Sequence, residues 1–306
     1  MSNLVILGPM GAGKTAQLAA IHVAALKRRG DVGRIRLLPK SRPMADLISL
    51  IPQALNNGQL PIKASQAITE YDFEMIVKPP SGAWRSRLGM EREYSFRFVD
   101  GPGEALLPGS SDTGVGRGPV DPREVKQFRE GLVTELSRAE GIVICVDSMH
   151  RRNRSVFWQQ LPPLLNEVHS KTGRRTLPAK RIVICLTKAD AYFQGHGRGA
   201  HGKVQRSDPT EAAHELMSGD AVLALRDWML PRARLGFVWT SAFGFIPGDG
   251  SANFNPSSQG LAVTLQVDDD SDLQADKCWD PYQVIDPLLF VATGEEAGTG
   301  VRLART

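Results

Sequence analysis

The residues best placed to do chemistry come early in the chain. Gly8-Pro-Met-Gly-Ala-Gly-Lys-Thr15 carries glycines at 8, 11 and 13, followed at once by Lys14 and Thr15, the GxxxxGK[ST] spacing. Glycine lets a backbone curl around an anion. Successive N–H groups of Gly8, Gly11, Ala12, Gly13, Lys14, Thr15 and Ala16 can then face phosphate oxygens, and a following helix N-terminus adds positive potential. In that setting Lys14 reaches the β- and γ-phosphates of a nucleotide and the Thr15 hydroxyl is a ligand for Mg²⁺.

Three later segments supply complementary chemistry. Phe98-Val-Asp-Gly-Pro-Gly-Glu104 puts Asp100 at the end of an apolar run. A carboxylate there can hold Mg²⁺ through its water shell, and the N–H of Gly103 is open to a γ-phosphate. Thr187-Lys-Ala-Asp190 follows the apolar run Ile182–Leu186. The Asp190 carboxylate can accept both N1–H and the N2 amino hydrogens of guanine, a pair adenine lacks, while the Lys188 stem lies along the base. Thr240-Ser-Ala242 ends another apolar run, where a backbone N–H near Ser241 and Ala242 can meet the guanine O6.

These groups need a scaffold that brings distant segments together. Strand-like runs are predicted at 4–7, 73–77, 94–99, 142–146, 182–186 and 237–239, several continuously apolar, as strands covered on both faces must be. Helices are predicted at 14–29, 123–138, 156–169 and 210–229. The alternation predicts an α/β fold: a mostly parallel six-stranded sheet with helices on both faces. The runs at 73–77 and 94–99 have no helix between them and predict one antiparallel strand. Residues 30–65, 101–119, 193–207 and 247–276 are rich in Gly, Pro or polar residues and predict irregular structure, apart from a short helix within 45–55. The expected organisation is a nucleotide-binding unit over 1–246, with insertions near 30–65, 101–120 and 191–209. A flexible segment and a closing helix near 279–292 then pack on the same unit.

Composition excludes several other classes. Of 306 residues, 42% are hydrophobic and 23% charged, a globular balance, and the net charge of +4 is too mild for a nucleic-acid surface. The N-terminus lacks a signal-peptide pattern, and no apolar run approaches the roughly 20 residues of a spanning helix. Three cysteines form no CxxC or paired framework. Together these predict a protein of the reducing cytoplasm. His196 and His201 lack partners at metal-ligand spacing and read as a polar loop.

In this order the four segments resemble the signatures of the Ras-like (TRAFAC-class) P-loop GTPases, GxxxxGK[ST], DxxG, [NT]KxD and SA, over residues 4–243. The resemblance implies that fold, GTP and GDP as ligands, Mg²⁺ as cofactor, and a switch that works through a protein effector or a homodimer partner. More narrowly, Asp100-Gly-Pro-Gly-Glu104 and Asp286-Pro-Leu-Leu-Phe290 resemble the bacterial double-GTPase families of conflict and defence gene clusters. Two departures matter: Glu104 stands where Ras-like proteins place the glutamine that orients the attacking water, and the first switch, which in that family supplies a hydroxyl shortly before the second strand to complete the Mg²⁺ shell, is met here by either Ser65 or Thr69. Lys14 and Glu104 are the expected catalytic residues, and hydrolysis is expected to be slow. Arg117 is either an arginine finger in cis or, more plainly, a solvated loop arginine. The competing expectations are a nucleotide-binding scaffold that does not hydrolyse, and a P-loop ATPase or kinase, which leaves Thr187–Asp190 unexplained.

Overall fold

The structure is a computed structural model, and it describes residues 3–9, 11–27, 35–50, 69–78, 91–100, 122–217, 219–255, 260–262, 279–295 and 300–304. In chain order the main elements are β1 (Asn3–Leu7), α1 (Lys14–Lys27), β2 (Ile35–Pro39), α2 (Arg42–Ser49), β3 (Thr69–Val77), β4 (Arg92–Asp100) and α3 (Pro122–Leu136). Then come β5 (Gly141–Asp147), α4 (Arg151–Thr172), β6 (Arg181–Thr187), α5 (Ala189–Phe193), a 3₁₀ turn (Gln194–Gly199) and α6 (Ala200–Arg206). The remainder are α7 (Pro209–Met217), α8 (Gly219–Asp227), β7 (Arg234–Trp239), the small pair β8 (Phe254–Asn255) and β9 (Gly260–Leu261), α9 (Asp286–Thr293) and β10 (Arg302–Leu303).

The main sheet has the order β10-β7-β6-β5-β1-β4-β3-β2. β1 pairs in parallel with both β4 and β5, β5 with β6, and β6 with β7. Their buried, β-branched runs alternate between two cores, since successive strand side chains face opposite ways. On β5, Val143 and Cys145 face the core that also holds Leu18, Ile21, Met44 and Phe290. Ile142, Ile144 and Val146 face the core of Leu132, Leu161 and Val222. Helices α1, α2 and α9 therefore cover one face, and α3, α4, α7 and α8 the other. The mostly parallel α/β arrangement with both faces covered matches the expectation.

The sheet has eight strands instead of the six expected, and antiparallel pairing occurs three times, β2 with β3, β3 with β4, and β10 with β7. β2 lies within a Pro-flanked stretch read as irregular. Its alternation is short, with Ile35 and Leu37 buried and Pro39 closing an edge strand, where a missing N–H does no harm. The following helix, α2, falls earlier than the window 45–55. β10 is two residues long and carries almost no pattern of its own.

Residues 194–206, also expected to be irregular, are helical because tertiary burial overrides glycine content. Ala200 and Val204 enter the core next to Phe193, His201 stacks on Phe245 at 5.1 Å, and the one non-helical residue, Gly197, marks the break between the 3₁₀ turn and α6. The single helix expected over 210–229 is two helices, α7 and α8. The helix α4 begins at Arg151 rather than 156, its polar first turn held in place by the buried Arg154. The closing helix spans only Asp286–Thr293 and packs on β5 and β6.

Candidate functional site

Because β1 is flanked on one side by β4 and on the other by β5, the chain leaves it at a topological switch point, where an open α/β sheet forms a crevice beyond its strand ends. The phosphate loop, Asp100, Thr187 and Thr240 all follow or end parallel strands at that edge. The loop itself depends on its glycines. A Cβ on Gly8 would lie 2.6 Å from the Cys145 carbonyl oxygen, closer than any side chain tolerates, and Gly13 adopts φ +76°, which L side chains rarely do. Ala12 N–H donates to the Pro9 carbonyl at 3.3 Å. The Lys14 amine, largely buried, donates to the same carbonyl at 3.0 Å. Thr15 and Ala16 are half-buried in the first turn of α1.

The end of the crevice formed by Lys188, Asp190 and Ser241 is knit together by side chains. Asp190 is 1% exposed; its Oδ1 accepts the Ser241 hydroxyl at 2.5 Å, and its Oδ2 is sealed from solvent without a partner among the described residues. Burial pushes its carboxyl up to about 6, against the lowering effect of the Ser241 bond and backbone N–H groups. The Ser241 oxygen in turn accepts Gly244 N–H at 2.7 Å, and the Ser241 backbone exchanges hydrogen bonds with Tyr282 at 3.0 and 2.9 Å. The carbonyl of Ala242 accepts the indole N–H of the fully buried Trp279 at 2.6 Å. The C-terminal segment thus fixes the loop after β7.

Asp147, at the tip of β5 and opposite Thr187 in register, is the organising group that sequence reasoning missed. It is fully buried and receives the Lys188 amine at 2.9 Å, a His150 ring nitrogen at 2.7 Å and the Met149 N–H at 2.8 Å. Burial alone would raise its carboxyl, but Lys188, His150 and Met149 together hold it below the ordinary range. Lys188 sits at φ +61°, a left-handed conformation unusual for a side-chain-bearing residue, and from there returns its amine to Asp147. The signal was present: Asp147 follows an apolar run as Asp100 does.

Gln17 was also missed. Its amide bonds the Thr240 hydroxyl through Nε2 and accepts the Cys145 thiol at 3.1 Å through Oε1, so α1 is tied to the tips of β5 and β7. No local pattern marks it.

A cavity of about 430 Å³ unites these parts. Gly13, Ala16 and Gln17 form one end, and Thr187, Lys188, Asp190 and Ala242 the other. Met149, His150 and Phe254 line it as well, three residues with no advance signal. The metal-ligand set is brought together only in part. Thr69 opens β3 directly across from Asp100, which ends β4, while Ser65, Gly103, Glu104 and Arg117 lie outside the described residues. Among those residues no cluster of three or more His, Cys, Asp or Glu could hold a metal by itself. His196 and His201 join no such cluster. Cys145 and Cys185, paired in register across β5 and β6, are buried free thiols. No helix of the described residues is long and apolar enough to cross a membrane.

No family model matches the chain, and no curated protein does. Among solved structures it is similar to a chain of the signal recognition particle receptor SRb-GTP/SRX complex from Chaetomium thermophilum, at 14% sequence identity. That match covers 81% of this chain and 94% of the other with a TM-score of 0.36, too low for the likeness to bear on function.

Proposed function

We propose that this chain binds GTP and GDP in the crevice beyond β1, β5, β6 and β7, hydrolyses GTP slowly with Mg²⁺, and acts as a nucleotide-controlled switch. The observation that carries this reading is Asp190. A buried carboxylate with one satisfied and one unpartnered oxygen lines the same cavity as the phosphate loop. Guanine offers two parallel donors to such a group and adenine does not. Burying a polar atom without a partner costs about 1–3 kcal/mol, which a base supplying the missing donor would recover.

In this reading the loop N–H groups from Gly8 to Ala16 take the phosphates, and Lys14 exchanges the Pro9 carbonyl for the β- and γ-phosphates. Lys188 covers the base while Asp147 holds its amine, and a backbone N–H near Ser241 and Ala242 meets the guanine O6. Thr15, Asp100 and one of Ser65 and Thr69 would hold Mg²⁺, which neutralises charge developing between the β- and γ-phosphates. Gly103 would bond the γ-phosphate through its N–H. Glu104 supplies no neutral amide to orient water, so unassisted turnover of about 10⁻⁴ to 10⁻² per second is expected. The same residue favours a second reading, a scaffold that binds nucleotide and docks a protein effector or a second copy without hydrolysis. The narrower likeness to the double-GTPase families belongs to this proposal too; of its two segments, the described structure contains Asp286–Phe290, in α9.

Competition of GDP, GTP and ATP against a fluorescent GDP, with and without Mg²⁺, tests the binding claim, and single-turnover GTP hydrolysis separates switch from scaffold. Guanine nucleotides are expected to win by at least about a hundredfold, the discrimination a site built around specific hydrogen bonds provides. Equal competition by ATP rejects the proposal.

A further inference from the structure

A second cavity lies away from the nucleotide crevice. A cleft of about 730 Å³ lies between the first turns of α4 and the junction of α7 with α8. Two donors inside it are unusual. Arg154 is 8% exposed, yet every hydrogen bond it makes among the described residues goes to a neutral carbonyl: Nη1 to Asp147 at 2.8 Å and Ser148 at 2.7 Å, Nε to Leu216 at 3.1 Å. It forms no ion pair there, since the Asp147 carboxylate is taken by Lys188 and His150. Its second terminal nitrogen makes no bond to a described residue. Beside it the Trp158 indole N–H is sealed from solvent and has no acceptor among those residues. Buried polar groups are ordinarily satisfied, so the Trp158 N–H, beside an arginine nitrogen that has no acceptor among the described residues, marks a place for an absent acceptor. The remaining lining is mixed. Leu216 and Met217 give an apolar wall, and exposed Arg151 and Glu215 stand at the rim, so two arginines face one glutamate.

We propose that this cleft is a second ligand site, taking a small molecule with an apolar or aromatic body and one oxyanion, phosphate or carboxylate. The oxyanion meets Arg154 and the Trp158 N–H while the body packs on Leu216 and Met217. The volume falls within the range of small-molecule pockets, and a guanidinium fork suits either oxyanion. Arg154 also connects the two sites. It grips the Asp147 and Ser148 carbonyls, and the Asp147 carboxylate positions Lys188 at the base end of the nucleotide crevice. A ligand that fixes Arg154 restrains that loop and slows GDP release; this coupling, unlike the site itself, rests on the guanine-nucleotide reading.

The test uses the full chain loaded with GDP and Mg²⁺, so that the phosphate loop is occupied. Phenyl phosphate and benzoate are titrated separately, followed by calorimetry, to distinguish the phosphate from the carboxylate source. Saturable binding of at least one probe is expected, weakened about tenfold in Trp158→Phe, which keeps the ring and loses the donor, and at least as much in Arg154→Lys. GDP release should slow by about threefold with the bound probe in wild type. No saturable binding of either probe, or unchanged binding in the folded Trp158→Phe variant, overturns the site. Binding with unchanged GDP release overturns the coupling alone. Failure of the chain to load GDP at all would be seen beforehand; the probes are then titrated on the nucleotide-free chain, where loss of binding in Trp158→Phe still decides the site.

Discussion

The two ends of the proposed nucleotide crevice are built by different means. At the base end, Asp147 holds Lys188, Asp190 holds Ser241 and Trp279 holds the Ala242 carbonyl, all through side-chain hydrogen bonds that are mostly buried. At the phosphate end the shape comes from backbone: glycine conformations at positions 8 and 13, N–H groups of the loop, and one cation resting on the Pro9 carbonyl. A network of side chains stabilises the fold and the binding geometry together. A glycine-shaped loop carries its function in atoms that contribute little to folding. Mutations should therefore separate the ends: both affinity and stability suffer at the base end, affinity alone at the phosphate end.

The largest effect is expected from Lys14→Ala. Removing the cation proposed to meet the phosphates should cost about 2–5 kcal/mol of GDP affinity. The ligand-free protein loses the amine's bond to the Pro9 carbonyl and its other contacts, and should melt within about 4 °C of wild type. A titration and a thermal scan on the same sample check both halves; a collapse in melting temperature would erase the contrast between the ends.

Asp147→Asn should do the opposite kind of damage. The amide cannot neutralise Lys188, and one oxygen fewer remains for four donors, Lys188 Nζ, the His150 ring nitrogen and the Met149 and His150 N–H groups. About 1–3 kcal/mol should vanish from folding stability, seen in a urea melt, and a comparable amount from GDP binding. Loss of binding with unaltered stability would mean that the base end is not preorganised.

The pH dependence follows from Asp190. Its folded-state carboxyl, raised from the ordinary 3.8 to about 6, binds a proton more readily in the folded than in the unfolded chain. Ligand-free stability should therefore fall as pH rises from about 4 to about 6. Guanine needs the ionised carboxylate, so GDP affinity should move the other way, about tenfold weaker at pH 5 than at pH 7.5. Asp190→Asn should flatten both profiles. A wild-type affinity that is independent of pH over this range would place the carboxylate elsewhere in the binding chemistry.

The smallest effect is at the periphery. Trp279→Phe keeps an aromatic ring but loses the bond to the Ala242 carbonyl, worth about 1 kcal/mol, and leaves a small cavity where the larger indole was buried. Both melting temperature and GDP affinity should drop slightly. A large affinity loss with unchanged stability would transfer importance from the buried network to the loop alone.

The glycine-shaped turn after β1 was legible in the sequence because its determinants are local: glycines, Lys14 and Thr15 lie within eight positions. At the base end, Thr187–Asp190 and Thr240–Ala242 were legible as strand-end segments, but the groups that position them were not. Gln17 meets Thr240 across 223 residues, and Trp279 meets Ala242 across 37, distances at which no periodicity speaks. Asp147 could have been found, since it repeats the pattern of Asp100. In the fold, the continuous apolar strands were readable. β2, β10 and the helical residues 194–206 were not, because pairing and burial by distant partners, rather than their own propensity, make them regular.

The central claim, that Asp190 reads a guanine through two donors, is tested most directly by measuring GDP and XDP affinity side by side in wild type and Asp190→Asn. Xanthine carries an oxygen where guanine has its N2 amino group, and an amide N–H can meet that oxygen while a carboxylate cannot. Wild type should prefer GDP, and the substitution should lower GDP affinity by about 1–3 kcal/mol while shifting preference towards XDP. A folded Asp190→Asn variant that binds GDP as wild type does, with no gain for XDP, would contradict the account.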